Sequence, residues 1–174
     1  MFRRLTRILL VFVVLLWIPC TASADITAFL GASSDPSTRL SKGFAVGASL
    51  IILGWEIEYA KVGGDDVGEG DCTIAAGLSC APSLTTIMGN LMLQTPHGIS
   101  PVQLYGTIGG GGYRERFDPI DVQETNFGTN VGGGVKINVL GPLRVRVDFR
   151  VFKLTGDAVY STPKRLYVGA NLAF

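Results

Sequence analysis

Six charged residues fall at every second position of two short segments. Glu56 and Glu58 alternate with Trp55, Ile57 and Tyr59, while Arg144, Arg146, Asp148 and Arg150 alternate with Leu143, Val145, Val147, Phe149 and Val151. A helix would scatter such charges around its circumference, whereas a strand turns every one of them to the same face. Lys136 joins them, with Asn126, Asn130 and Asn138, opposite a row of Phe127, Val131, Val135, Ile137 and Val139. Carboxylates and cations gathered this way can neutralise one another as a buried network, or line a polar path through which ions move.

Other chemistry is thinly represented. The single histidine, His97, sits in Thr95-Pro96-His97-Gly98 and would have to serve as the base of any serine hydrolase. With Cys72 and Cys80 it makes no convincing zinc set. The segment from Gly63 to Asp71 clusters Asp65, Asp66, Glu69 and Asp71, but the spacing lacks the distal Glu of an EF-hand loop, and it reads as a solvated acidic loop. Gly109 to Gly112 and Gly132 to Gly134 are followed by neither a Lys-Ser pair nor a helix, so close-packed strands explain them better than a phosphate cradle. No catalytic residue, metal site or cofactor is expected.

The first 24 residues carry the three parts of an export signal. Arg3, Arg4 and Arg7 precede the apolar run Ile8 to Ile18, and Ala22-Ser23-Ala24 places cleavage before Asp25. The run is 11 residues long, against the roughly 20 that a membrane helix requires. Cleavage removes three arginines and leaves 12 Lys and Arg against 14 Asp and Glu, a net charge of −2, with no basic face for nucleic acid. Cys20 leaves with the signal. Cys72 and Cys80 then remain in an oxidising compartment, where a disulfide is the simplest expectation.

Stepping along residues 25–174, alternating segments appear at about 25–33, 42–53, 55–62, 84–94, 101–116, 126–139, 143–151 and 165–174. Short links, at Gly54, Thr95 to Ser100 and Leu140 to Pro142, alternate strictly with long polar ones at about 34–41, 63–83, 117–124 and 153–162. All short turns therefore share one end with both chain termini. A soluble sandwich or lipocalin-like barrel would also alternate, but it would bury its apolar face. The charges on segments 55–62, 126–139 and 143–151 are too many for such a core. Aromatic residues near segment ends, Phe44, Trp55, Tyr59, Phe117, Phe127 and Phe174, fit interfacial girdles. The expected architecture is an all-β, eight-stranded antiparallel up-and-down transmembrane β-barrel. Its charged face is the lumen, narrow enough for Glu56 or Glu58 to meet Arg144 or Arg146 from the opposite wall.

The chain resembles the small eight-stranded outer-membrane barrels, the family of outer-membrane proteins A and X and their porin-like relatives, from residue 25 to 174. The most specific feature is the closing stretch Leu166-Tyr167-Val168-Gly169-Ala170-Asn171-Leu172-Ala173-Phe174. The resemblance implies that Leu166, Val168, Ala170, Leu172 and Phe174 form the signal read by the barrel-assembly machinery. It implies a monomer set among outer-membrane lipid and lipopolysaccharide, with external loops, notably 63–83, free to meet an unknown ligand. No peptidoglycan-binding domain is expected after the barrel. The leading expectation is a structural or surface-interaction role, with narrow conduction as the second reading. A lipid-modifying enzyme is a remote third, because His97 falls on the side away from the outer leaflet.

Overall fold

A computed structural model describes residues 22–34, 38–64, 82–96, 100–117, 122–156, 158 and 161–174 of the protein. These form β1 (Ala22–Ser34), β2 (Arg39–Leu50), β3 (Leu53–Val62), β4 (Ser83–Gln94), β5 (Val102–Phe117), β6 (Val122–Leu140), β7 (Leu143–Leu154) and β8 (Lys164–Ala173). Each strand pairs antiparallel with the next, and β8 pairs with β1, so the sheet closes into an up-and-down barrel. β1 begins at Ala22, upstream of the expected cleavage before Asp25.

The stagger of the barrel can be followed through the paired residues. Ala24 lies opposite Ala48, then in turn Trp55, Leu91, Ile108, Val131, Val151 and Lys164, and Lys164 lies opposite Ser34. The circuit returns to β1 ten residues further along. This shear tilts the strands by about 40° and leaves an interior that side chains fill, as in small membrane barrels.

Two of the short links are two-residue turns, at Ile51–Ile52 and at Gly141–Pro142. Expecting the first turn at Gly54 is incorrect: Leu50 pairs with Leu53, and Gly54 lies inside β3 opposite Ser49. A glycine is a common turn marker, but a two-residue hairpin loop satisfies the register here. Ile51 consequently adopts φ of 53°, a conformation unusual for a β-branched residue. Gly141 takes φ of 54°, where glycine is at ease.

Burial alternates along the strands, and its sense is inverted relative to a soluble protein. In β7, Arg144, Arg146, Asp148 and Arg150 are buried while Phe149 is exposed. Leu91, Ile108 and Val131 are 67%, 63% and 57% exposed, and they are neighbours in a continuous apolar wall far larger than a water-soluble surface tolerates. Phe44, Trp55 and Phe127 are also exposed on this wall. No helix among the described residues is long and apolar enough to cross a membrane; the strands supply the crossing.

Candidate functional site

The lumen is organised around Arg146, which projects inward from β7 and is fully buried. Its Nη1 donates to Glu56 Oε2 on β3, across the barrel. Its Nε donates to Tyr105 Oη on β5 at 2.7 Å, and its Nη2 to Asp148 Oδ2 at 3.0 Å. The guanidinium carbon lies 4.8 Å from the centre of the Tyr105 ring. Arg150 completes the cluster: its Nη2 reaches Glu56 Oε1 at 2.7 Å, its Nε reaches Asp148 Oδ1 at 2.9 Å, and its Nη1 lies 3.2 Å from Glu58 Oε2. Glu58 also pairs with Arg165 of β8, and Tyr105 Oη donates to Asp148.

Amides extend the cluster around the wall. Asn90 Nδ2 approaches Glu56 Oε1 at 3.4 Å, and Asn130 Nδ2 donates to Asn90 Oδ1 at 2.8 Å. Nearer the turn end, Lys136 Nζ meets Asp25 Oδ2 at 2.5 Å, and Asn171 Nδ2 donates to Thr27 Oγ1 at 2.8 Å. Buried charges are tolerable only when paired and hydrogen-bonded, and here each carboxylate of the central cluster faces more than one cation.

Glycines give these side chains room. Gly134 lies opposite Tyr105 on one side and Asp148 on the other, and a Cβ there would stand 2.6 Å from Tyr105 Oη and 2.1 Å from the Val147 carbonyl oxygen. Gly132 lies opposite Arg150, where a Cβ would stand 2.8 Å from Arg150 Cγ. Small residues thus sit beside the largest inward ones, which is the means by which a narrow barrel fits its contents.

Toward the loop end the lumen changes character. Val62, Leu84, Met88, Tyr113, Phe152 and Leu154 form a buried apolar layer, against which Ala158 packs. Phe29 stacks on Tyr167 beside Ala60, with ring centres 4.1 Å apart. At the rim, Arg39 Nη1 donates to the carbonyl oxygens of Pro82 at 2.6 Å and Gly63 at 3.1 Å, tying together the two ends of the 63–83 loop.

All seven residues expected in the lumen, Glu56, Glu58, Lys136, Arg144, Arg146, Asp148 and Arg150, are buried. Of the cross-lumen pairs expected from sequence, Arg146 with Glu56 is present. Asp25, Tyr105, Arg165 and Tyr167 belong to the same interior and were not anticipated as network members. Their signal is parity: Tyr105 follows the outward Leu104, and Arg165 and Tyr167 flank the outward Leu166. Leu166, Val168, Leu172 and Phe174 are exposed on the outer wall, and Ala170 shares their row. The Phe174 N–H and carbonyl exchange hydrogen bonds with Ala24. Cys72, Cys80 and His97 lie outside the described residues, as do the acids at 65, 66, 69 and 71.

An apolar outer wall, a polar filled lumen and a closed eight-stranded circuit together define the fold of a small bacterial outer-membrane β-barrel protein. Solved structures carry the same fold at low sequence identity. Neisserial surface protein A matches with a TM-score of 0.66 and 16% identity, over 88% of this chain and 97% of that one. The N-terminal β-barrel domain of Pseudomonas aeruginosa OprF matches with a TM-score of 0.63 and 14% identity, over 87% of this chain and 97% of that one. The outer membrane enzyme PagL matches with a TM-score of 0.51 and 12% identity, over 85% of this chain and 98% of that one. No protein-family model matches the chain, and no curated protein does.

Proposed function

We propose that the protein is a monomeric, non-conducting and non-enzymatic outer-membrane barrel whose task is to hold external loops, above all 63–83, rigidly at the cell surface. The observation that carries this reading is the stacking of two unlike seals inside one narrow lumen. The Glu56, Arg146, Asp148 and Arg150 cluster bridges opposite walls, and the apolar layer of Val62, Leu84, Met88, Phe152 and Leu154 lies above it. An ion crossing this interior would have to break multiply bonded charge pairs and then pass an apolar layer. The ties from Arg39 to Gly63 and Pro82 brace the base of the loop, and a Cys72–Cys80 bridge would stiffen its body.

Because PagL is an enzyme of the same fold, the fold alone does not decide against catalysis. What favours a non-enzymatic role is that the single histidine, His97, falls in the link between β4 and β5, at the turn end. The outer leaflet and its lipid lie at the other end. Processing before Asp25 would leave that residue at the start of the mature chain, where its carboxylate holds Lys136.

Planar-bilayer recordings with purified protein test the reading. The expected result is no reproducible conductance, for the wild type and for a variant with Met88→Ala and Phe152→Ala alike, since the charge cluster persists in both. Discrete channels in the wild type that weaken on Glu56→Gln would overturn it and favour the conduction reading.

A further inference from the structure

The outer wall is not uniformly apolar. Among the described residues, every charged side chain exposed on it is a cation, namely Lys42, Lys61, Arg114, Arg116, Lys153 and Lys164, and all lie toward the loop end of their strands. Lys42 and Lys61 stand apart from the others because they are direct cross-strand partners. Like charges set directly opposite destabilise a sheet. Neither forms an ion pair with another described residue, and Lys42 is flanked along β2 by exposed Leu40 and Phe44, inside the apolar band.

Beside this pair the wall is hollow. Ala28 and Ala170 are cross-strand neighbours and leave a floor between Leu30, Phe44, Val145 and Val168. The resulting groove holds about 780 Å³, runs along the membrane-facing surface and has Lys42 and Lys61 among its lining residues. Its size falls within the roughly 300–1,000 Å³ of ligand clefts, but it opens toward lipid.

We infer that the Lys42–Lys61 pair and the adjoining groove form a specific site for a phosphorylated acyl glycolipid of the outer leaflet, with the phosphate bridging the two ammonium groups and an acyl chain lying over Ala28 and Ala170. Two facing cations in an apolar band call for an anion, and a groove that opens sideways into the membrane admits one carried on a lipid. The position toward the loop end selects the outer leaflet. This inference rests on the outer-membrane fold and is independent of whether the lumen conducts.

Native mass spectrometry of the full barrel in neutral detergent, with lipid A added as probe, tests it. Wild type is expected to retain one lipid A. Enzymatically dephosphorylated lipid A, the Lys42→Gln/Lys61→Gln variant and the groove-filling Ala170→Leu variant are each expected to lower retention about tenfold. Lys153→Gln, on another part of the wall, is expected to leave it unchanged, and a heat-dependent gel shift identifies the folded variants. Equal retention of phosphorylated and dephosphorylated lipid by the wild type would overturn the inference without requiring any variant to fold. So would displacement of lipid A by millimolar inorganic phosphate, which would mark a site for free anion, or unchanged retention by the double lysine variant.

Discussion

Arg146 draws three strands of the interior together, touching Glu56 of β3, Tyr105 of β5 and Asp148 of its own β7. Its Coulombic attraction to Glu56 has already been spent against the desolvation of both groups, so the pair is weak evidence for net stability while its rupture is expensive. Arg146→Leu should therefore destabilise the barrel by about 3 to 5 kcal/mol, measured as urea unfolding of protein refolded into lipid vesicles. Adding Glu56→Leu should recover part of that loss, because it removes the carboxylate left short of a partner. Strictly additive losses would show that the two side chains are not coupled. Much of this interior was legible beforehand, since Arg144, Arg146, Asp148 and Arg150 alternate with apolar residues and so must share a face. The partners contributed by other strands were less so. Asp25 looks like a cleavage-site neighbour and Tyr105 like an ordinary strand aromatic until the register brings them to Lys136 and Asp148.

The strands themselves were readable wherever the two faces differ in chemistry, and obscure where they do not. β8 alternates cleanly, and its outward row ends at Phe174. In β4, by contrast, Leu84, Met88 and Met92 point inward while Ile87, Leu91 and Leu93 point outward, so an alternation of apolar with apolar hid the apolar layer of the lumen. The turn at Ile51–Ile52 was missed for a related reason: two isoleucines carry no turn chemistry, and register alone forces Ile51 to positive φ. At this scale Phe174 offers a separation between folding and delivery. Its side chain is 72% exposed on the outer wall and is absent from the buried clusters of the lumen. Phe174→Ala should thus cost about 1 kcal/mol or less of equilibrium stability, yet sharply reduce the heat-modifiable protein recovered from cell membranes. A urea midpoint that falls in step with the membrane yield would instead make Phe174 a stabilising anchor and remove the case for an assembly signal.

For the molecule as a whole, the decisive feature is that the lumen network cannot exist before the barrel does. Arg146 and Glu56 are 90 residues apart, Arg150 and Glu56 are 94 apart, Arg165 and Glu58 are 107 apart, and Lys136 and Asp25 are 111 apart. Adjacent hairpins form from local pairing, whereas these contacts require that β3 already face β7 across a closed wall and that β8 has met β1. Loop closure is costly until such long-range contacts repay it. The network should accordingly be absent from the rate-limiting step of folding and present in the barrier to unfolding. If so, Arg146→Leu should leave the rate of folding into vesicles nearly unchanged, and a loss of about 3 kcal/mol should appear as unfolding about 100-fold faster. The comparison is made by following the gel-mobility shift in both directions with time, using Arg165→Leu as a second probe at the β8 wall. A folding rate that drops in proportion to the lost stability would mean that the charges meet early and draw the barrel shut, which would make the lumen a guide to closure instead of a lock applied after it.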